Sequence, residues 1–337
     1  MIEPKTPRPR ILSGMRPTGK LHLGNLVGAL QNWIALQDQY ESYHFVADWH
    51  MLTTDYADTS ELQTNIQEMV TDWLAVGLDP AKATFFIQSR LPEHAELQLL
   101  FSMVTPLGWL ERVPSYKEQL ANIKDRDLTT YGFLGYPVLQ AADILMYKAD
   151  AVPVGEDQVP HVELTREIAR RFDNFYGRVF PEPRVLLTPT PRLPGTDGRK
   201  MSKSYNNAIF LSDPPETVSK KLATMLTDPA RKRRKDKGDP DKCPVFDLHK
   251  VYSTKEIIGR VNTECRTAEI GCLECKTLVA GRINETLAPI QERRKPFEQN
   301  PRRVWDILDE GTARARKVAQ ATMGEVRAAM NLTQRGN

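Results

Sequence analysis

One stretch limits what this chain can fold into: Arg16-Pro-Thr-Gly-Lys-Leu-His-Leu-Gly-Asn25. An apolar run, Ile11-Leu-Ser-Gly-Met15, leads into it, and Leu26-Val-Gly-Ala-Leu-Gln-Asn-Trp-Ile-Ala-Leu36, with apolar residues at helical spacing, leads out of it. That order predicts a strand, a tight turn and a helix N-terminus. Pro17, Gly19 and Gly24 let the backbone approach a ligand closely. Free N–H groups and the positive end of the helix dipole then favour phosphate at that point. The stretch reads as a nucleotide site.

The strand-then-helix signal recurs. Tyr43-His-Phe-Val-Ala-Asp48 reads as a buried strand, residues 60–76 as a helix with Ser60 as its N-cap, and Ala83-Thr-Phe-Phe-Ile-Gln88 as another strand. Strands alternating with helices at this spacing predict βαβ units, a parallel sheet and ligands at the carboxyl ends of the strands. The fold class is therefore α/β, a Rossmann-like nucleotide-binding domain. It lacks the dinucleotide glycine fingerprint, which argues against an NAD enzyme. Residues 93–103 read as a further helix, and Lys117, beyond it, as a lysine facing solvent.

Tyr136-Pro-Val-Leu-Gln-Ala-Ala-Asp-Ile-Leu-Met-Tyr147 places Tyr136, Gln140, Asp143 and Tyr147 at i, i+4, i+7 and i+11, a polar stripe on an otherwise apolar helix. A carboxylate among Ala141, Ala142, Ile144 and Leu145 is costly unless it is hydrogen-bonded, so Asp143 is expected to face a pocket whose ligand donates to it. Next come a short strand, Ala151-Val-Pro-Val154, the turn Gly155-Glu-Asp-Gln158, and a helix over 159–172. Gly155 allows close backbone approach, and Glu156 and Asp157 can accept from sugar hydroxyls or an ammonium. The Pro- and Gly-rich segment 181–198 reads as a linker carrying the strand Val185-Leu-Leu187. From Asp213 onward helical patterns dominate, with residues 302–330 a long closing helix. The expected units are a catalytic domain, 1–206, and a mostly α-helical C-terminal domain, 207–337.

The pattern Pro-x-x-x-x-His-Leu-Gly-Asn resembles the HIGH signature of class I aminoacyl-tRNA synthetases. Lys200-Met-Ser-Lys-Ser204 is a complete KMSKS loop, roughly 175 residues further on and in the family's order. The resemblance implies that His22, Asn25, Lys200 and Lys203 serve adenylation. It also implies that Arg16, Pro17, Thr18, Gly24, Asn25, Gly155, Glu156, Asp157, Leu193 and Lys200 through Ser204 (with Met201, Ser202 and Lys203) surround ATP and its Mg²⁺. Lysines on a mobile loop suit a leaving pyrophosphate, whose developing charge needs cations that can close onto it.

Tryptophanyl- and tyrosyl-tRNA synthetases share both signatures. Indole has a single N–H that one carboxylate satisfies, whereas a phenol needs a donor as well. Where tyrosyl enzymes carry a tyrosine this chain has Leu12, and Arg16 replaces their aspartate. The chain thus resembles bacterial tryptophanyl-tRNA synthetases, which implies tryptophan-binding roles for Tyr136, Gln140, Asp143 and Gln158, transfer to tRNA(Trp), and a homodimer. Gln140 departs from the methionine that many bacterial members carry there. The alternatives are a tyrosyl enzyme and an inactive paralogue that binds tRNA or a nucleotide.

Four cysteines, Cys243, Cys265, Cys272 and Cys275, are separated by 21, 6 and 2 residues. Four thiolates can hold zinc or a 4Fe–4S cluster, and the spacing alone does not choose. The pattern resembles the iron–sulfur motif of a subset of bacterial tryptophanyl enzymes, which implies the cluster. The segment 231–242 carries seven basic and three acidic residues and is a candidate contact for tRNA phosphates. The whole chain is nearly neutral, at +3, so any RNA surface must be local. No apolar run approaches the roughly 20 residues of a membrane span, and the expected location is the cytoplasm.

Overall fold

The apolar run ahead of the nucleotide turn forms strand β1 (Arg10–Met15), the middle strand of a parallel sheet. The computed structural model describes residues 8–114, 127–188 and 192–332; Lys117 lies outside them. Among the described residues, β2 (Glu41–Val46), β3 (Ala83–Ile87), β4 (Ala151–Val154) and β5 (Arg184–Leu187) complete one sheet in the order β3-β2-β1-β4-β5. The register runs Arg10 to Glu41 and Met15 to Val46 on one side of β1, and Ile11 to Ala151 on the other. This is the α/β, Rossmann-like class that the alternation of strands and helices predicts.

Side chains alternate across the sheet, as the period of two requires. Leu12, Tyr43, Phe45 and Phe86 enter one core with helices α4 (Tyr131–Met146) and α5 (Val159–Tyr176). Val46, Phe85 and Ile87 enter the other with α1 (residues 23–36) and α2 (Leu62–Val76). Helix α2 begins later than a Ser60 cap predicts, because Asp58 takes the Ser60 N–H at 2.9 Å and turns the chain there. Helix α3 (Glu93–Val104) packs on α4.

Beyond residue 206 come helices α6 (Pro215–Thr224), α7 (Pro244–Tyr252), α8 (Lys255–Thr267), α9 (Cys272–Gln299) and α10 (Arg302–Ala329). The apolar core runs across that position without a break, joining Leu21 and Leu23 to Ile209, Leu211, Ile283 and Leu287. The closing helix α10 covers the edge strand β3, which removes an open row of backbone groups. Contact there is so close that a Cβ on Gly311 would sit 1.8 Å from the Phe85 carbonyl oxygen. Among the described residues no helix is long and apolar enough to cross a membrane.

Candidate active site

In the strand order, β2 and β3 follow β1 on one side and β4 and β5 lie on the other, so the topology reverses between β1 and β4. The loops at the carboxyl ends of those two strands diverge and leave a crevice. A cavity of about 400 Å³ lies there, walled by Ser13, Gly14 and Met15 of β1 and by Val152, Pro153 and Val154 of β4. Of the expected site residues, Arg16, Tyr136, Gln140, Asp143, Gly155 and Gln158 line it, as does Leu12. Glu156 and Asp157 are exposed and outside the lining.

Asp143 is fully buried at the cavity wall. Its Oδ1 meets His94 Nδ1 at 2.6 Å, its Oδ2 meets His50 Nε2 at 2.7 Å, and Gln88 Nε2 donates to both oxygens at 2.8 and 3.0 Å. Burial by itself pushes the Asp143 carboxyl up, but the hydrogen bonds and charges of His50 and His94 outweigh it and hold the group below the usual carboxylate value. An ionised Asp143 only accepts, so both histidines donate to it. The other nitrogen of His94, Nε2, lies 2.8 Å from the Tyr147 hydroxyl, which puts Tyr147 behind the carboxylate instead of in the cavity. Tyr136 Oη lies 3.0 Å from His161 Nε2. Burial foremost lowers the His161 pKa to about 4, so that ring is neutral near pH 7.

His50, His94 and Gln88 are site residues that sequence reasoning missed. His50 and Gln88 carry a signal, their places just beyond the carboxyl ends of β2 and β3, where a parallel sheet puts its ligands. His94 lies on α3 and becomes a neighbour only when α3 packs on α4. Arg16 pairs with Asp55 at 2.7 Å and also donates to Thr54.

The two signatures meet. Leu23 N–H donates to the Ile209 carbonyl at 3.0 Å and Leu211 N–H to the Leu21 carbonyl at 2.9 Å, so the chain just after the KMSKS loop runs alongside the nucleotide turn. Lys203 Nζ reaches the Thr18 carbonyl at 2.7 Å, above Gly19, whose φ of +93° suits glycine. His22 and Asn25 close a reciprocal box: the Asn25 N–H donates to His22 Nδ1 at 3.3 Å, and the His22 N–H to Asn25 Oδ1 at 3.0 Å. Burial first, then Lys200, push the His22 pKa down to about 4. Neutral His22, accepting on Nδ1, therefore carries its proton on Nε2 and presents a single uncharged donor.

Pro17 and Gly24 lie in the same turn, and Leu193 is joined to Met201 by a backbone hydrogen bond of 2.9 Å, with both side chains in the core. Ser202 and Ser204 share a hydroxyl contact of 2.9 Å. Buried Asn207, also missed, shapes the loop by accepting from Ser202 N–H at 2.8 Å and donating to the Lys200 carbonyl at 3.2 Å.

The four cysteines, all free, gather where α7, α8 and α9 begin or end: Cys243 precedes α7, Cys265 is near the end of α8, and Cys272 and Cys275 open α9. Burial foremost, and then the charges of Cys243, Cys265 and Cys272, raise the Cys275 thiol to about 12. Among the described residues no three His, Cys, Asp or Glu side chains are arranged to hold a metal ion. The basic run is not wholly a solvent face: Arg231 is buried, donating to the Ile270 carbonyl at 2.8 Å and lying 3.6 Å from Cys265 Sγ. Arg234 donates to the Glu269 carbonyl at 2.6 Å, and Arg266 pairs with Asp239 and Asp241. Lys232, Arg233, Lys235 and Lys237 remain exposed.

A family model described as tRNA synthetases class I (W and Y) matches residues 4–288. The chain belongs to this family. The synthetase is similar to the tryptophan–tRNA ligase of Thermotoga maritima, 54% identical over 325 residues that cover 96% of this chain and 99% of the relative. It is also similar to that of Deinococcus radiodurans, 46% identical over 323 residues that cover 94% and 97%. Among solved structures, the tryptophanyl-tRNA synthetase from Campylobacter jejuni complexed with ADP and tryptophan matches this synthetase with a TM-score of 0.85 at 32% identity, covering 96% of this chain and 99% of that one.

Proposed function

We propose that this class I synthetase is a tryptophan–tRNA ligase, which activates L-tryptophan with ATP to tryptophanyl-adenylate and pyrophosphate and then transfers tryptophan to tRNA(Trp). The observation that carries the reading is the junction of the two signatures beside a cavity whose wall holds an ionised, triply hydrogen-bonded Asp143. In this reading the indole N–H donates to Asp143, with Tyr136, Gln140 and Gln158 around the rest of the amino acid. The tryptophan carboxylate is itself the nucleophile at the α-phosphorus, so catalysis is positioning and electrostatics. His22 donates its Nε2–H to a phosphoryl oxygen, Asn25 holds that ring in place, and Lys200 and Lys203 neutralise the departing pyrophosphate. ATP enters as its Mg²⁺ complex along Arg16, Pro17, Thr18, Gly24, Gly155, Glu156, Asp157 and Leu193. Residues 1–206 act as the catalytic unit and 207–337 as the tRNA-binding unit.

The cysteine site is assigned to a 4Fe–4S cluster held by Cys243, Cys265, Cys272 and Cys275. The donor set supports it: four free thiols in one neighbourhood, with the Arg231 guanidinium opposing the upward push of burial on Cys265 and Cys275. Such a cluster supplies a covalent tie among three helix ends. Exposed Leu99, Met103, Leu107 and Phe175 support a homodimer interface on the α3 side. Tryptophan-dependent exchange of pyrophosphate into ATP is the deciding assay. Exchange with tryptophan and not with tyrosine is expected; none with tryptophan identifies an inactive binding paralogue, and equal exchange with tyrosine overturns the substrate.

A further inference from the structure

We propose that Arg294 and Gln291, near the carboxyl-terminal end of α9, are positioning residues for adenylation that fix the two ATP signatures relative to each other. The inference rests on the adenylation reading above. Arg294 is 3% exposed and each nitrogen of its guanidinium meets a carboxylate: Nη1 donates to Asp72, Nη2 to Glu68, and Nε to Glu298 at 2.6 Å. Asp72, wholly buried on α2, turns its other oxygen to the Leu21 N–H at 2.8 Å. Leu21 precedes His22, so Arg294 reaches the nucleotide turn through a single carboxylate. Three residues back on the same helix, Gln291 Nε2 donates to the Leu211 carbonyl at 3.3 Å and the Asp213 carbonyl at 2.8 Å. Leu211 in turn donates to the Leu21 carbonyl. One stretch of α9 therefore grips the backbone on both sides of the junction between the signatures.

Geometry favours positioning over plain support. A buried ion pair is seldom the most stabilising way to fill a core, since apolar side chains of similar volume often do as well. What a planar guanidinium provides that they do not is a fixed set of directional donors, and here three carboxylates hold it so that one of those donors points at Asp72. Asp72 in turn holds an amide next to His22, where a displacement of about 1 Å is worth roughly 100-fold in rate.

The test is single-turnover formation of tryptophanyl-adenylate by the full-length protein, alongside KM values for tryptophan and ATP and thermal unfolding of each variant. Arg294→Gln is expected to lower the single-turnover rate at least tenfold with the tryptophan KM within twofold of wild type. Combining it with Asp72→Asn should recover part of the rate, because a neutral amide still accepts the Leu21 N–H and no buried charge is left unpaired. Gln291→Ala leaves every buried ion in place, and a loss of threefold or more is expected. Should Arg294→Gln fail to fold, Gln291→Ala decides. Folded variants with the wild-type rate, or a tryptophan KM that rises as much as the rate falls, would overturn the positioning role. Absence of exchange in the wild type, measured in the same assay, instead refutes the adenylation reading and this proposal with it.

Discussion

At the residue scale, polar groups inside this protein divide into those with partners and those without. Asp143 has three protein donors and an open cavity beside it, so its charge is both stabilised and presented. Replacing it by alanine removes the acceptor altogether. A lost hydrogen bond to a charged acceptor is worth about 1.5–3 kcal/mol, so Asp143→Ala should raise the tryptophan KM roughly 10- to 150-fold and leave the ATP KM within about twofold. Steady-state exchange kinetics check this, and unchanged tryptophan kinetics would remove Asp143 from the pocket. His44 is the opposite case. It stacks on Trp33 with ring centroids 4.3 Å apart, and neither ring nitrogen has a partner among the described residues. Burial pushes its pKa down to about 3. Below pH 6.5 the unfolded chain therefore binds a proton that the folded chain refuses until about pH 3, and stability falls on acidification through that window. By pH 5 the loss from this ring is about 2 kcal/mol relative to pH 7.5. Denaturant titrations at the two pH values should show a smaller loss for His44→Phe than for wild type; equal losses would exclude His44 as a source of acid sensitivity.

At the scale of elements, the sequence patterns locate helices and strands well and their contacts hardly at all. Strands β2 to β5 and helix α4 fall within a few residues of their hydrophobic patterns, because burial of one face fixes the register of an element. Nothing in the pattern of α10 says that it lies on β3, although its apolar residues announce a buried face. The reason for Gly311 appears only in the packed structure, where the helix backbone touches the strand backbone. An alanine there must push α10 away from Phe85. Gly311→Ala should lower stability by about 1–3 kcal/mol, the usual cost of overpacking, despite alanine's better helix propensity. Equilibrium unfolding measures it, and a neutral or stabilising result would mean that α10 shifts on β3 at no cost.

Across the whole molecule, α9 is the element that reaches furthest. Its 28 residues span about 42 Å at 1.5 Å per residue, with Cys272 and Cys275 at one end and Arg294 near the other. The cysteines are thus far from the chemistry even though they share a helix with a residue that reaches the nucleotide turn. Anaerobically purified protein is expected to show broad visible absorbance and about four irons per chain. Cys272→Ser should abolish the absorbance and impair aminoacylation while pyrophosphate exchange persists, because the Arg294 end stays docked through its own contacts. Zinc without iron in the purified protein would rule out the cluster, and equal loss of both activities would rule out its separation from adenylation.

By itself the sequence determined the alternation that makes a parallel sheet, the turn that suits phosphate, the paired signatures and the polar stripe on α4. Each of these is legible in short segments, one strand, one turn or one helix at a time, where backbone geometry alone sets the spacing. The two signatures are each recognisable on their own although they lie roughly 175 residues apart. Tertiary structure decided which side chains surround Asp143, how the KMSKS loop lies on the nucleotide turn, that Arg231 is interior, and that Arg294 reaches Leu21 through Asp72. Those partners are dozens to hundreds of residues apart in the chain. Desolvation selects them: a buried charge must find whichever donor or acceptor the folded chain brings near it, and no periodicity in the sequence records which one that is.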